Sequence, residues 1–150
     1  MAARERSLIY QLELMKVHHP AFRGRVVHGI KGERLVCRGT LRPTPISDSY
    51  NVRVDYAIGY RPRVWVDQPR PRLREGWDRI PHTFQEAGPR PCLFENQDWN
   101  SRMLLATSVM PWLLLWLVFY ESWLATGEWQ GEGHPEMVAK VAETLPQVRS

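Results

Sequence analysis

The residues of this chain best suited to covalent chemistry are Cys92 and His82, ten positions apart in a stretch running from Pro81 to Phe94. A cysteine thiolate is a strong nucleophile, and an imidazole titrates near neutrality, so it can take up or release a proton. Pro81, Gly88, Pro89 and Pro91 make this stretch a rigid, breaker-rich loop. A lone thiol held in such a loop with a histidine upstream suits a cysteine nucleophile. The same residues equally describe a buried structural cysteine beside a surface histidine. Arg90, two residues before Cys92, would favour a thiolate by its charge.

The other candidate groups read as structural. Cys37 alternates with Leu35, Gly39 and Leu41, so it is expected to be a small buried hydrophobe in a strand. His18 and His19 precede Pro20 and mark the end of a helix. No spaced histidine or cysteine partners accompany them, so no metal site is expected. His134 lies in a Gly-rich segment that neither follows a strand nor opens a helix, and it reads as a helix exit rather than a phosphate loop. No cofactor is expected.

These residues need a scaffold, and 150 residues suffice for one domain with its own core. Two cysteines are too few for a disulfide framework, and charges throughout residues 1–16 argue against a signal peptide. A cytoplasmic protein with free thiols is expected. The net charge of +4 comes from arginine, which supplies seventeen of the twenty basic residues. The arginines between Arg61 and Arg79 lack interleaved stacking aromatics and are opposed by Asp67, Glu75 and Asp78. They read as a solvated loop, not a nucleic-acid surface.

In chain order, Leu8, Leu12 and Met15 predict an amphipathic helix over 4–16. Four short strands follow: 22–30, 34–41, 50–56 and 63–67. The third is the clearest, with Tyr50, Val52, Val54 and Tyr56 alternating with Asn51, Arg53 and Asp55. Short turns between them predict an antiparallel meander. Residues 68–91 carry too many prolines and glycines for a helix or a central strand, and a connection this long is usually functional. From Asn100 the pattern becomes helical and apolar. The uninterrupted apolar run from Val109 to Tyr120 is shorter than the roughly 20 residues of a membrane span, so a core helix is expected, ending at Gly127. A short helix over 136–145 is expected to follow.

This order of elements resembles the ubiquitin-conjugating enzyme fold, an α+β fold with an N-terminal helix, a four-stranded meander, a long active-site loop and a covering helix. The local residues agree. The family's histidine often precedes its catalytic cysteine by ten residues, as His82 precedes Cys92. Leu93 and Trp99 match the leucine and tryptophan that follow, and Tyr60-Arg61-Pro62-Arg63-Val64-Trp65-Val66 is similar to the turn leading into the fourth strand. A narrower resemblance is to the prokaryotic branch associated with CBASS anti-phage operons. It is carried by Cys92-Leu93, Trp99, Pro111-Trp112 and the run from Tyr120 through Glu121, Trp123, Thr126, Gly127 and Trp129 to Gly131.

The resemblance implies a transferase in which Cys92 carries a protein C-terminus as a thioester. The implied partner is a cyclic-oligonucleotide synthase, a CD-NTase-like protein, that is joined to a target. No nucleic-acid or membrane partner is expected. His82 would act as a base or as a staple of the loop, with Arg90, Asn96 and Trp99 in support. One departure stands out, because Thr83 and Phe84 replace the family's proline and asparagine. The asparagine's oxyanion duty would then pass to backbone N–H groups near Cys92, or to Asn96 or Asn100. A catalytically inactive binding module of the same fold is the rival reading.

Overall fold

The computed structural model describes residues 5–84, 90–94 and 98–130. Helix α1 runs Leu8–His18 and starts where the Ser7 hydroxyl accepts the Tyr10 N–H at 3.1 Å, satisfying one of the free donors of the first turn. It buries Leu8, Gln11, Leu12 and Met15, a single stripe. The sequence pattern identified the apolar three. It missed Gln11, which is fully buried and clamps the chain on both sides of the turn before the second helix. Its Nε2 donates to the Met103 carbonyl at 2.8 Å and its Oε1 accepts the Leu105 N–H at 2.9 Å. The helix ends at His18, with the N–H of His19 closing on Met15, as the following proline requires.

Strands β1 (Arg23–Gly29), β2 (Gly32–Leu41), β3 (Tyr50–Tyr56) and β4 (Arg63–Gln68) form an antiparallel sheet in chain order. The inner face carries Leu35, Cys37, Leu41, Tyr50, Val52, Val54, Tyr56, Val64 and Val66, all buried. Gly39 is required there: a Cβ at that position would stand 2.3 Å from the ring of Phe22. The opposite face, read off the same alternation, is dominated by arginine.

The apolar C-terminal pattern becomes a 3-10 turn at Leu105–Thr107 and then helix α2, Val109–Thr126. Pro111 is tolerated because it lies in the first helical turn, where no backbone N–H is needed. Gly127 ends the helix with φ at 83°, and its N–H closes on Trp123. The segment Leu105–Thr126 is long and apolar enough to cross a membrane by length and composition, yet 56% of its apolar window is buried within the fold. It acts as the helix covering the sheet. Val109, Met110, Leu113, Trp116, Leu117, Tyr120 and Trp123 all enter the same core cluster as the inner sheet face. Glu121 fastens the helix to the start of β3, accepting hydrogen bonds from Ser47 at 2.6 Å and Tyr50 at 2.8 Å.

The connection after β4 differs from expectation in one respect. It contains two very short strands, β5 (Thr83–Phe84) and β6 (Arg90–Pro91), paired as an antiparallel hairpin. Proline-rich sequence permits this because so short a ladder asks little of Pro91, which offers no N–H. The helix expected over 136–145 and the Gly-rich loop with His134 lie outside the described residues.

Candidate functional site: a cysteine at the foot of a hairpin

The site is built on the register of β5 and β6. Thr83 faces Pro91 and Phe84 faces Arg90, so the next pair outward is His82 with Cys92. The Cys92 N–H donates to the His82 carbonyl at 2.8 Å, closing the foot of the hairpin. The ten-residue spacing of the sequence therefore corresponds to a backbone pairing. Cys92 itself is half-buried, with its Sγ 3.8 Å from the Phe94 carbonyl oxygen.

The same His82 carbonyl accepts a second hydrogen bond, from the indole N–H of Trp116 on α2, at 2.9 Å. His82 is the sole non-glycine residue among those described with a positive φ, at 52°. That conformation is uncommon for a side-chain-bearing residue and persists where surrounding contacts enforce it. Here two donors converge on its carbonyl and Trp129 packs against its ring in a tilted arrangement, 5.3 Å away at an interplanar angle of 34°. The exposed imidazole thus packs on an indole, while the histidine's backbone is what reaches Cys92.

Helix α2 holds the described parts of the connection through one aromatic stripe. Trp112 packs on Phe94 at 5.4 Å, and Trp116 grips His82. The Tyr120 hydroxyl accepts the Arg72 N–H at 2.9 Å, and Trp123 meets Trp77 edge-on at 5.3 Å. These helix positions are spaced four, four and three apart, so they line one face of α2. The loop is laid along that face, with Ile80 buried beneath it and the Thr83 hydroxyl donating to the Ile80 carbonyl at 2.7 Å. Trp129 folds back from beyond the helix to touch His82, Trp116 and Phe119.

The remaining sequence candidates separate. Arg90 lies across the hairpin from Phe84, its guanidinium 4.5 Å from that ring and 5.6 Å from the ring of Trp65 on β4. The residue standing in place of the asparagine is thus one half of a cation–π pair that bridges the hairpin. Trp99 is a core residue, edge-on to Tyr56 at 5.4 Å, and supports the fold beneath the site. The amide oxygen of Asn100 accepts the Arg102 N–H at 3.0 Å, so this side chain shapes the turn before α2. Asn96 lies outside the described residues. The Cys92 N–H, bonded to His82, is already spent and is not free to stabilise an oxyanion.

Cys37 contrasts with Cys92. It is 1% exposed on the inner sheet face, and burial pushes its thiol up to about 11, against a small opposing effect of the Lys16 charge. His19 is also buried, and desolvation lowers its pKa, with the Ala106 carbonyl 3.4 Å from Nε2 pulling the other way. Among the described residues no cluster of three or more metal-ligating side chains occurs.

An N-terminal helix, a four-stranded antiparallel sheet and a covering C-terminal helix are compatible with a ubiquitin-conjugating-enzyme-like fold, with the cysteine on the connection between sheet and helix. The chain belongs to the type II CBASS E2 protein family, whose model matches residues 11–136. That membership associates it with CBASS anti-phage defence and a conjugating-enzyme type of role. No curated protein matches the chain.

Proposed function

We propose that the protein is a thioester-forming transferase of anti-phage defence, with Cys92 as the nucleophile. The observation that carries this reading is the foot of the hairpin. There a half-buried thiol is held at a fixed backbone position by the Cys92 N–H to His82 carbonyl bond, within a member of a conjugating-enzyme family.

In the first step the Cys92 thiolate attacks the carbonyl carbon of an activated protein C-terminus. A C–S bond forms and the activating group departs with its electron pair. In the second step an amine of the target attacks the same carbon, the C–S bond breaks, and the thiolate leaves as the nitrogen loses its proton. The protein supplying the C-terminus is the cyclic-oligonucleotide synthase of the same operon. Here His82 is a positioning residue: its carbonyl holds Cys92, its φ of 52° sets the turn, and its ring is packed on Trp129. Arg90 and Trp99 support the hairpin and the core below it, and Phe84 provides no oxyanion donor.

Co-expression with the synthase and the other genes of its operon, so that any activating enzyme is present, followed by non-reducing electrophoresis tests the reading. An adduct should form that dithiothreitol removes. Cys92→Ser should turn it into a reductant-resistant ester or abolish it, and Cys37→Ala should leave it intact. An adduct that survives in Cys92→Ala would refute the assignment.

A further inference from the structure

The outer face of the four-stranded sheet carries a concentration of positive charge that the conjugation chemistry does not use. Register places Arg23 of β1 opposite Arg38 of β2, Arg38 opposite Arg53 of β3, and Arg53 opposite Trp65 of β4. Three arginines thus stand directly side by side across neighbouring strands, about 4.8 Å apart per strand. Like charges in directly opposed positions are unfavourable to a sheet. Arg25, Arg34 and Arg63 extend the same face, while its acidic residues are Asp55 and Asp67. Those two are occupied, Asp55 by Arg34 at 3.5 Å and Asp67 by Arg53 at 3.4 Å. Arg23, Arg25 and Arg38 are exposed and have no carboxylate within 4.0 Å among the described residues.

The basic face is continuous with the cysteine hairpin. Trp65 is flanked by Arg53 at 4.2 Å, Arg63 at 5.5 Å and Arg90 at 5.6 Å, and Arg90 belongs to β6. Beside it, between the two hairpin turns of the sheet and β6, opens a cavity of about 800 Å³. Its walls include Lys31, Arg61, Arg63 and Arg90 along with the apolar Leu93 and Phe94. Positive charge therefore runs from Arg23 across the sheet to within two residues of Cys92.

We propose that this face is a docking surface for an acidic segment of a partner protein. Charge complementarity selects an anionic occupant. Two features favour protein over nucleic acid. The one aromatic ring at outward strand positions, Trp65, is already flanked by three guanidinium groups, so a base would have to displace one to stack. The half-exposed Asp67 also interrupts the face, which suits a protein segment that places its carboxylates singly better than a uniformly charged phosphate backbone. Docking is independent of the thiol, so it stands or falls separately from thioester formation.

Fluorescence anisotropy with a fluorescein-labelled peptide of alternating glutamate and serine, (Glu-Ser)5, at low salt tests the surface, with single-stranded (dT)20 as the comparison. The full chain should bind the peptide, more weakly as salt rises, and Cys92→Ala should bind it equally well. The double reversal Arg23→Glu with Arg38→Glu should weaken binding by about tenfold or more. Arg70→Glu with Arg79→Glu, exposed positions off this face with the same change in net charge, should leave it nearly unchanged. Equal losses in the two double variants, or no binding by the parent chain, would overturn the proposal. So would tighter binding of (dT)20 that is lost in the Arg23→Glu, Arg38→Glu variant, since the face would then belong to nucleic acid.

Discussion

The two cysteines should differ sharply in reactivity, because Cys37 is buried in the sheet and Cys92 is half-buried at the hairpin. Cys37 is 1% exposed and its thiol is pushed up to about 11 by burial. At pH 8 only about one molecule in a thousand then carries the Cys37 thiolate, whereas an ordinary thiol near 8.5 is about one-quarter ionised. The thiolate population alone disfavours Cys37 by about two-hundredfold relative to an unperturbed cysteine. Exclusion of the reagent multiplies that factor, because alkylation must wait for a local opening of the sheet. Native protein treated with iodoacetamide at pH 8 should therefore gain one carbamidomethyl group, at Cys92, by peptide mass spectrometry. In denaturant it should gain two. Comparable modification of Cys37 and Cys92 in the native protein would show that the inner sheet face is open to solvent, and the assignment of Cys37 as inert would fail.

Three further outcomes follow from individual contacts. His82→Gly keeps the positive φ and both hydrogen bonds to the carbonyl, so it should retain thioester formation. Trp116→Phe removes one of those bonds, worth about 1 kcal/mol, and should lower the yield of the adduct on non-reducing gels; loss in the glycine variant with retention in the phenylalanine variant would instead make the imidazole the working group. Gly39→Val forces a side chain into the Phe22 ring and should cost about 1–3 kcal/mol or more, read as a lowered Tm in thermal melts. His19 has its pKa lowered in the fold, mainly by desolvation, so its neutral form is favoured there; stability is fully present above the unfolded value near 6.5 and is lost as pH falls through it, and His19→Gln should flatten that part of the pH–Tm curve.

Periodicity made β3 and the position of α1 legible in the sequence, though α1 starts at Leu8 rather than residue 4, and an apolar run marked α2. Tyr50, Val52, Val54 and Tyr56 alternate as β3 does, and Leu8, Leu12 and Met15 mark the buried stripe of α1. Gln11 was not legible, because a glutamine on a helix reads as surface until its partners, the Met103 carbonyl and the Leu105 N–H, are brought from over ninety residues away. The hairpin of β5 and β6 was hidden for a different reason: two-residue strands leave no periodicity, and the prolines around them signal breaks. The arginine face was obscured by counting along the chain. Along the chain the arginines cluster most densely at residues 61–79, whereas those at alternate strand positions, from Arg23 to Arg63, share a surface only through the strand register.

The aromatic residues along α2 have a common physical task. Trp112, Trp116, Tyr120 and Trp123 occupy one face of α2 and each holds a different point of the connection, from Arg72 and Trp77 to His82 and Phe94. A loop with so many prolines and glycines has few backbone hydrogen bonds of its own with which to fix a thiol. Its position must come from a rigid element, and a helix that also covers the sheet is the stiffest one nearby. Across the hairpin, the Arg90 guanidinium packs over the Phe84 ring at 4.5 Å. A loop ordered in this way should tolerate loss of the His82 imidazole better than loss of the Trp116 indole N–H that holds its carbonyl.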